Sequence, residues 1–581
     1  MRGHFVSTRR FLAAAGLLAL ALALGLPSLD LPACAGETTP RLHVEGRELL
    51  FGDTPVRLFG QGDEVLLIKS RADEIAEARW YAPFDANFAR LHAFGPFIPD
   101  SEEPLQPWPR GQDGRFDLSL KNDAYYDRLR GYLAENRRGG RVVMLQVFDE
   151  VGFERGSDRW DLNPFQPDRN VNALGLPAPG RDAIPEFYSL SNARLRTVQE
   201  RFVRDLVTET RGFGNVIFEI CNEYTGPIEW LDHFARLFRS LEPELGCELV
   251  VTNMSCSQAL LAFEIASPAI DCLDLFHAPD TMRHFTPRQI YDRFLAARAH
   301  GKPLLAGRIG PEPDINDRDF AGVRRSRAQF WAIFMAGGVG ATTKEDDDGV
   351  RTRFGPPMYP EDPEWELSIK ALQSFVTEVG DPRALTPDPS MIVAAPSNYA
   401  FAMRSPRRLA VYLSEPADLD PLRLRSVPNG EYTVQVYDPV RGAFTAVWRE
   451  VVTDGTLELA VPTFAEDVAL MIDAAPMTVT LLRPPSPDEQ FSIVDVVVVR
   501  HDGIDGDGDG SADFEAFLRV DGRDLPQSDD RVAMDHVRKR RIERVRLRFP
   551  ALSTGPHEIE ALVVEKSGEA RDSMRHRFFE R

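Results

Sequence analysis

Between about residue 40 and residue 385 the chain alternates two hydrophobic patterns. Short apolar runs recur at Val56–Gly60, Ala86–His92, Arg141–Asp149, Asn215–Tyr224, Glu248–Asn253, Cys272–His277, Gly301–Gly310 and Ala336–Glu345. A continuous apolar run of this length reads as a strand buried on both faces, typical of a parallel sheet covered by helices. Between the runs, Asp123–Arg138, Ser191–Thr210, Ile228–Leu241, Phe285–His300, Phe320–Met335 and Trp365–Val379 read as helices. In the second of these, Leu195, Val198, Phe202 and Leu206 make one apolar stripe, with Arg and Glu filling the other faces. The repeated order strand, helix, strand is what a parallel barrel requires.

From about Thr386 the period changes. Tyr399–Met403, Leu409–Leu413 and Tyr432–Tyr437 are short alternating strands, divided by turns such as Pro428-Asn429-Gly430. That is the pattern of an antiparallel sandwich. A second β-domain begins after Asp473. The expected division is 1–35 targeting segment, 36–385 barrel, 386–475 accessory β-sandwich and 476–581 C-terminal β-sandwich.

The run Asn215–Tyr224 ends in the pair Asn222-Glu223. Polar residues just past a barrel strand lie at its C-terminal end, where barrels do their chemistry. With the neighbouring segments, this run resembles the fourth strand of the cellulase-like retaining glycoside hydrolases built on (β/α)₈ TIM barrels. The helix and glycine-rich strand over 320–345 resemble their apiosidase-like members. The resemblance implies that Glu223 is the general acid/base and that Asn222 contacts the sugar hydroxyl beside the scissile bond. It implies that Arg90, in the second strand, packs under this pair and holds it by hydrogen bonds; a planar guanidinium fork suits that role. His92 is either a cleft residue or a satisfied core histidine. His277, by the same resemblance, lines the subsite beside the glutamates; the alternative is a cap on its strand.

The seventh strand departs from the family pattern. Lys302-Pro303 and the apolar residues after it match, but Arg308 stands where the nucleophilic Glu belongs. An arginine cannot attack an anomeric carbon, and its charge opposes a developing oxocarbenium ion. Three readings follow. Glu312 supplies the second carboxylate; or Glu345 or Asp346 does; or the barrel only binds sugar. A long segment from Glu150 to about Tyr188 would wall the cleft, its Trp160, Phe165 and Phe187 either stacking on sugar rings or holding the loop together. Gln61, Asp63 and Glu64 follow the first strand and either line the site or cap the next helix.

Composition narrows the remainder. A chain of 581 residues exceeds a single core. A formal net charge of -21 argues against nucleic acid and anionic membrane as partners and says little about a neutral sugar; a carbohydrate substrate is what the resemblance implies. Five cysteines do not make a disulfide framework. Arg2, Arg9 and Arg10 before the apolar stretch Phe11–Leu26 form a signal peptide, with Ala33-Cys34-Ala35 as the cleavage site. Thr8–Leu12 resembles a twin-arginine export signal, and Cys34 as a lipid anchor is the minority reading. No later segment is apolar enough to span a bilayer, so the expectation is an exported protein, periplasmic or extracellular. No cofactor is expected for catalysis. In the last domain Asp505, Asp507, Asp509, Ser511 and Asp513 put oxygens at alternate positions of a glycine turn, a candidate structural calcium loop lacking the last Glu of a full EF-hand. Arg544, Arg546 and Arg548 make one basic strand face. The expectation is an exported glycoside hydrolase. The alternatives are a sugar-binding pseudoenzyme on the same barrel and, third, a cell-surface structural protein.

Overall fold

The computed structural model describes residues 40–64, 79, 81–93, 105–150, 163–176, 183–275, 285–309, 321–343, 364–417 and 421–474, together with the backbone of strands between 477 and 580. The signal segment 1–35 with Cys34, and Trp160, His277, Glu312, Glu345, Asp346, Asp505, Asp507, Asp509, Ser511 and Asp513, lie outside the described residues; so does the side chain of Arg308.

The barrel strands are β1 Leu58–Glu64, β2 Phe88–His92, β3 Val142–Asp149, β4 Val216–Asn222, β5 Val250–Thr252, β6 Leu273–Asp274, β7 Leu304–Ile309 and β8 Gly340–Thr343. They pair in parallel, and β8 returns to β1, so that the eight-stranded sheet curls on itself. β5 and β6 do not pair as strands, but Asp271 and Cys272 bridge the gap, their N–H groups both donating to the Val251 carbonyl, at 2.8 and 3.3 Å. The helices are α1 Asp123–Arg138, α2 Ala193–Thr210, α3 Ile228–Leu245, α4 Gln258–Ala266, α5 Pro287–Ala297, α6 Ala321–Met335 and α7 Glu364–Val379. Their starts are written in the sequence: Asn192 caps α2, Ser257 caps α4, and Thr286 with Gln289 forms a capping box on α5.

An antiparallel hairpin, Leu42–Glu45 with Glu48–Phe51, closes the N-terminal end. Its Leu42 and Leu49 join Leu58, Phe88, Met144, Ile217, Val250 and Leu305 in a fully apolar plug. Gln61, Asp63 and Glu64 fall inside β1 rather than after it, because its pairing with β2 continues past a bulge to Glu64.

The accessory sandwich packs on α5, α6 and α7. Trp331 stacks on Tyr412 with centroids 4.7 Å apart and planes 8° apart, and Tyr291 stacks on Phe401 at 4.4 Å. Tyr437 Oη donates to the Ala371 carbonyl at 2.7 Å. Aromatic pairs contribute about 0.5–1.5 kcal/mol each beyond their buried area, so this is a firm seam. The architecture is a TIM barrel followed by antiparallel β-sheets. The sheets of the two β-regions meet edge to edge in one parallel pair, Phe444 with Leu482. The basic strand Ile542–Pro550 lies between two neighbours, with Arg546 in register with Asp495 on one side and Asp535 on the other.

Candidate active site

The C-terminal mouth of the barrel begins with a break in strand alternation. In β3, Val147 and Phe148 both pack outward among the helices, as do Ile220 and Cys221 in β4. Strict alternation would send one of each pair into the lumen. The skipped step brings Asp149 and Asn222 together instead. They are register partners, and Asn222 Nδ2 donates to Asp149 Oδ1 at 2.8 Å.

Beneath them lies a buried charge pair. Arg90, on β2, is 0 % exposed. Its Nε donates to Glu219 Oε2 at 2.9 Å and its Nη2 to Glu219 Oε1 at 2.7 Å. The same Nη2 also donates to Asn222 Oδ1 at 2.9 Å. Gln146 Nε2 adds a bond to Glu219 Oε1 at 3.2 Å. A buried carboxylate is stable only when paired and hydrogen-bonded, and Glu219 is both. Arg90 therefore touches Asn222 of the Asn-Glu pair directly and spends its fork on Glu219. His92 is 7 % exposed, and its Nδ1 lies 3.8 Å from Asp149 Oδ2, beyond hydrogen-bonding distance.

Glu223 follows β4 and is half-buried. Its φ is +50°, in the left-handed region that residues with a Cβ rarely adopt. The turn it makes is fixed from the β5 side. Tyr224 N–H donates to the Met254 carbonyl at 2.8 Å, and Cys256 N–H to the Tyr224 carbonyl at 2.9 Å. Asn253 supports the strand end, its Oδ1 accepting from Cys221 N–H at 3.0 Å. Asn253 is held in turn by Glu264 Oε1, 2.9 Å from its Nδ2, and Ser255 Oγ donates to the same oxygen. Burial pushes the Glu264 carboxyl up to about 8, although the bonds from Ser255 and Asn253 pull it back.

Strand seven carries its own irregularity. The β7–β8 register shifts between Ala306 and Ile309, at the position of Arg308. Just before it, Gly307 N–H donates to Asp274 Oδ2 at 2.9 Å. A Cβ on Gly307 would lie 2.3 Å from that oxygen, so only glycine fits against the carboxylate. Phe165 and Phe187 are fully buried and pack edge to face at 5.0 Å, with Trp108 5.1 Å from Phe165. They hold the wall together and offer no face to a sugar.

The residue reading named Arg90, His92, Asn222 and Glu223, and the fold gathers these four at one mouth. It did not name Gln146, Asp149, Glu150, Glu219, Asn253, Glu264 or Asp274. Glu219 had a signal, since a charged residue in the middle of an otherwise apolar strand demands a buried partner. Among the described residues no cluster of His, Cys, Asp and Glu is arranged to hold a metal. Among them, too, no helix is long and apolar enough to cross a membrane.

Residues 110–309 match a family model described as a domain of unknown function, DUF6298. No curated protein sequence matches the chain. Solved structures do resemble it. One described as a glycoside hydrolase superposes with a TM-score of 0.54 at 15% identity, over 75% of this chain and 97% of that one. A glycoside hydrolase family 5 protein from Bacteroides vulgatus gives 0.52 at 14%, over 74% and 93%. A putative glycoside hydrolase from the same organism gives 0.53 at 13%, over 76% and 83%. At these identities the likeness establishes the shared fold, a near-closed parallel barrel with its appended β-region.

Proposed function

We propose that this chain is an exported glycoside hydrolase, periplasmic or extracellular, that cleaves O-glycosidic bonds of a polysaccharide or oligosaccharide. Glu223 protonates the leaving oxygen. The observation that carries the reading is the Asn222-Glu223 pair at the end of β4, with Asn222 fixed between Arg90 and Asp149 and Glu223 held in a left-handed turn. Backbone strain of this kind costs about 1–3 kcal/mol and collects at working sites. An acid presented at the rim of a buried polar network is suited to proton transfer. The structures that share the fold are described as glycoside hydrolases, which supports a carbohydrate substrate. Glu312 is our choice for the second carboxylate.

A second reading has its own observation. Arg308 occupies the strand-seven position where the resemblance expects the nucleophile, which favours a sugar-binding protein without turnover. A panel of aryl glycosides and polysaccharides decides, assayed with the wild type, Glu223→Gln and Glu312→Gln. The expected result is turnover by the wild type and a loss on the order of 10²–10⁴-fold in Glu223→Gln on unactivated substrates. Turnover lost also in Glu312→Gln supports the two-carboxylate mechanism. Turnover kept in Glu312→Gln redirects the second role to Glu345 or Asp346. Binding of a glycan with no turnover by the wild type establishes the second reading.

A further inference from the structure

Glu150 follows β3 and is 3 % exposed. It grips the chain on both sides of Glu223. Its backbone N–H donates to the Asn222 carbonyl at 3.3 Å, one residue before. Its carboxylate accepts from the Thr225 N–H at 2.8 Å and from the Thr225 hydroxyl, two residues after. Between these points Glu223 keeps its φ of +50°. For a residue with a Cβ that conformation costs roughly 1–2 kcal/mol and persists only when the surroundings impose it. Beyond Glu223 the pins from the β5 side are backbone to backbone, joining Tyr224 to Met254 and Cys256. The pin beyond Glu223 from the β3 side is a side chain, which makes it the adjustable one.

We infer that Glu150 is the positioning residue for Glu223, fixing where its carboxyl is presented to a bound glycoside. The inference rests on the reading of Glu223 as proton donor. The residue type fits the task. A carboxylate offers two acceptor oxygens and no donor, so it takes both the N–H and the O–H of one threonine without conflict. Bonds to an ionised acceptor are about twice as strong as neutral ones. Glutamine has the same volume, and its oxygen can still take the Thr225 N–H while its NH₂ donates to the hydroxyl oxygen, so Glu150→Gln trades two charge-assisted bonds for neutral ones about half as strong. Thr225→Val leaves Glu150 intact and removes only the hydroxyl bond, which makes it the milder variant should Glu150→Gln fold poorly.

The test uses the full chain and two glycosides of one sugar, a nitrophenyl glycoside and a methyl glycoside. Departure of nitrophenolate needs little protonation, whereas departure of methoxide needs all of it. Misplacing a reacting group by about 1 Å costs roughly 10²-fold. Glu150→Gln and Thr225→Val are therefore expected to lower kcat/KM on the methyl glycoside by about 10- to 100-fold. On the nitrophenyl glycoside kcat/KM should fall far less, because that ratio reads only the leaving-group step. Glu223→Gln should give the same pattern, larger. Hydrogen exchange of the 221–226 segment adds a readout that needs no substrate, and the Thr225 amide should exchange faster in Glu150→Gln. Equal losses on both glycosides, or wild-type turnover of the methyl glycoside, overturn the positioning role. Unchanged exchange at Thr225 overturns the clasp whatever the enzyme does. If Glu223→Gln itself keeps wild-type turnover of the methyl glycoside, it is the acid assignment that falls.

Discussion

Arg90 with Glu219, and Arg327 with Asp467, put the same chemistry in two places. Each guanidinium donates through Nε and Nη2 to both oxygens of one carboxylate. Side-chain exposure is 0 % for both members of the first pair, and 1 % and 2 % for the second. Such a pair roughly breaks even against apolar residues of the same shape, while a single member left alone is strongly destabilising. The difference lies in what else each pair touches. Arg90 has a further bond to Asn222, and Glu219 takes one from Gln146, so the first pair is tied to the strand end that carries Glu223. Asp467 takes the Tyr412 hydroxyl at 2.7 Å, and Tyr412 stacks on Trp331, so the second pair is tied into the seam between barrel and sandwich. Buried charge pairing does not by itself mark a working site; the remaining bonds decide.

Substitution separates the two. The largest effect is expected from Arg90→Ala, which strands Glu219 in the barrel and unties Asn222. It should cost about 3–5 kcal/mol in a urea titration followed by circular dichroism and abolish glycoside turnover. If turnover survived, the first pair would be as purely structural as the second. Arg327→Ala should destabilise by a similar 3–5 kcal/mol. There, however, kcat measured per folded molecule should match the wild type. A fall in kcat would mean that the seam reaches the mouth and would blur the comparison. Smaller still is the double substitution Arg327→Met with Asp467→Leu. Replacing a whole buried pair by apolar groups is neutral or stabilises by up to about 4 kcal/mol, so its urea midpoint should return to or above that of the wild type.

Glu264 provides the smallest and most selective test. It is a buried carboxyl with no guanidinium partner among the described residues, held near 8 against an ordinary 4.5. Between those two values the native protein keeps a proton that the unfolded chain has released. Stability from this group is thus complete below pH 4.5, falls as pH rises towards 8, and is flat above. Glu264→Gln imitates the protonated acid and keeps an oxygen for Asn253 and Ser255. Urea midpoints at pH 5, 6.5 and 8 should decline more steeply for the wild type than for the variant. Equal slopes would mean that Glu264 is ionised in the folded protein.

Much of this was legible in the residues, unevenly. The apolar runs located the barrel strands because a strand covered on both faces must be apolar throughout. Asn222, Glu223, Arg90 and His92 stood out as polar residues at or near strand ends. Glu150 did not stand out, because nothing local distinguishes a carboxyl that clasps Thr225 from one that is merely solvated. Phe165 and Phe187 read equally well as sugar platforms or as packing, and only their complete burial chose between the two.

The order of strands and helices, the change from barrel to β-sheet period near Thr386 and the Asn222-Glu223 pair belong to the sequence alone, since each follows from side-chain chemistry at neighbouring positions. The tertiary structure decided the partnerships. Arg90 meets Glu219 across 129 residues, Glu150 meets Thr225 across 75, and Arg327 meets Asp467 across 140. It also decided the skipped alternation in β3 and β4 that turns Asp149 and Asn222 inward. Burial and charge pairing act through space, so their outcome depends on which surfaces the barrel brings together.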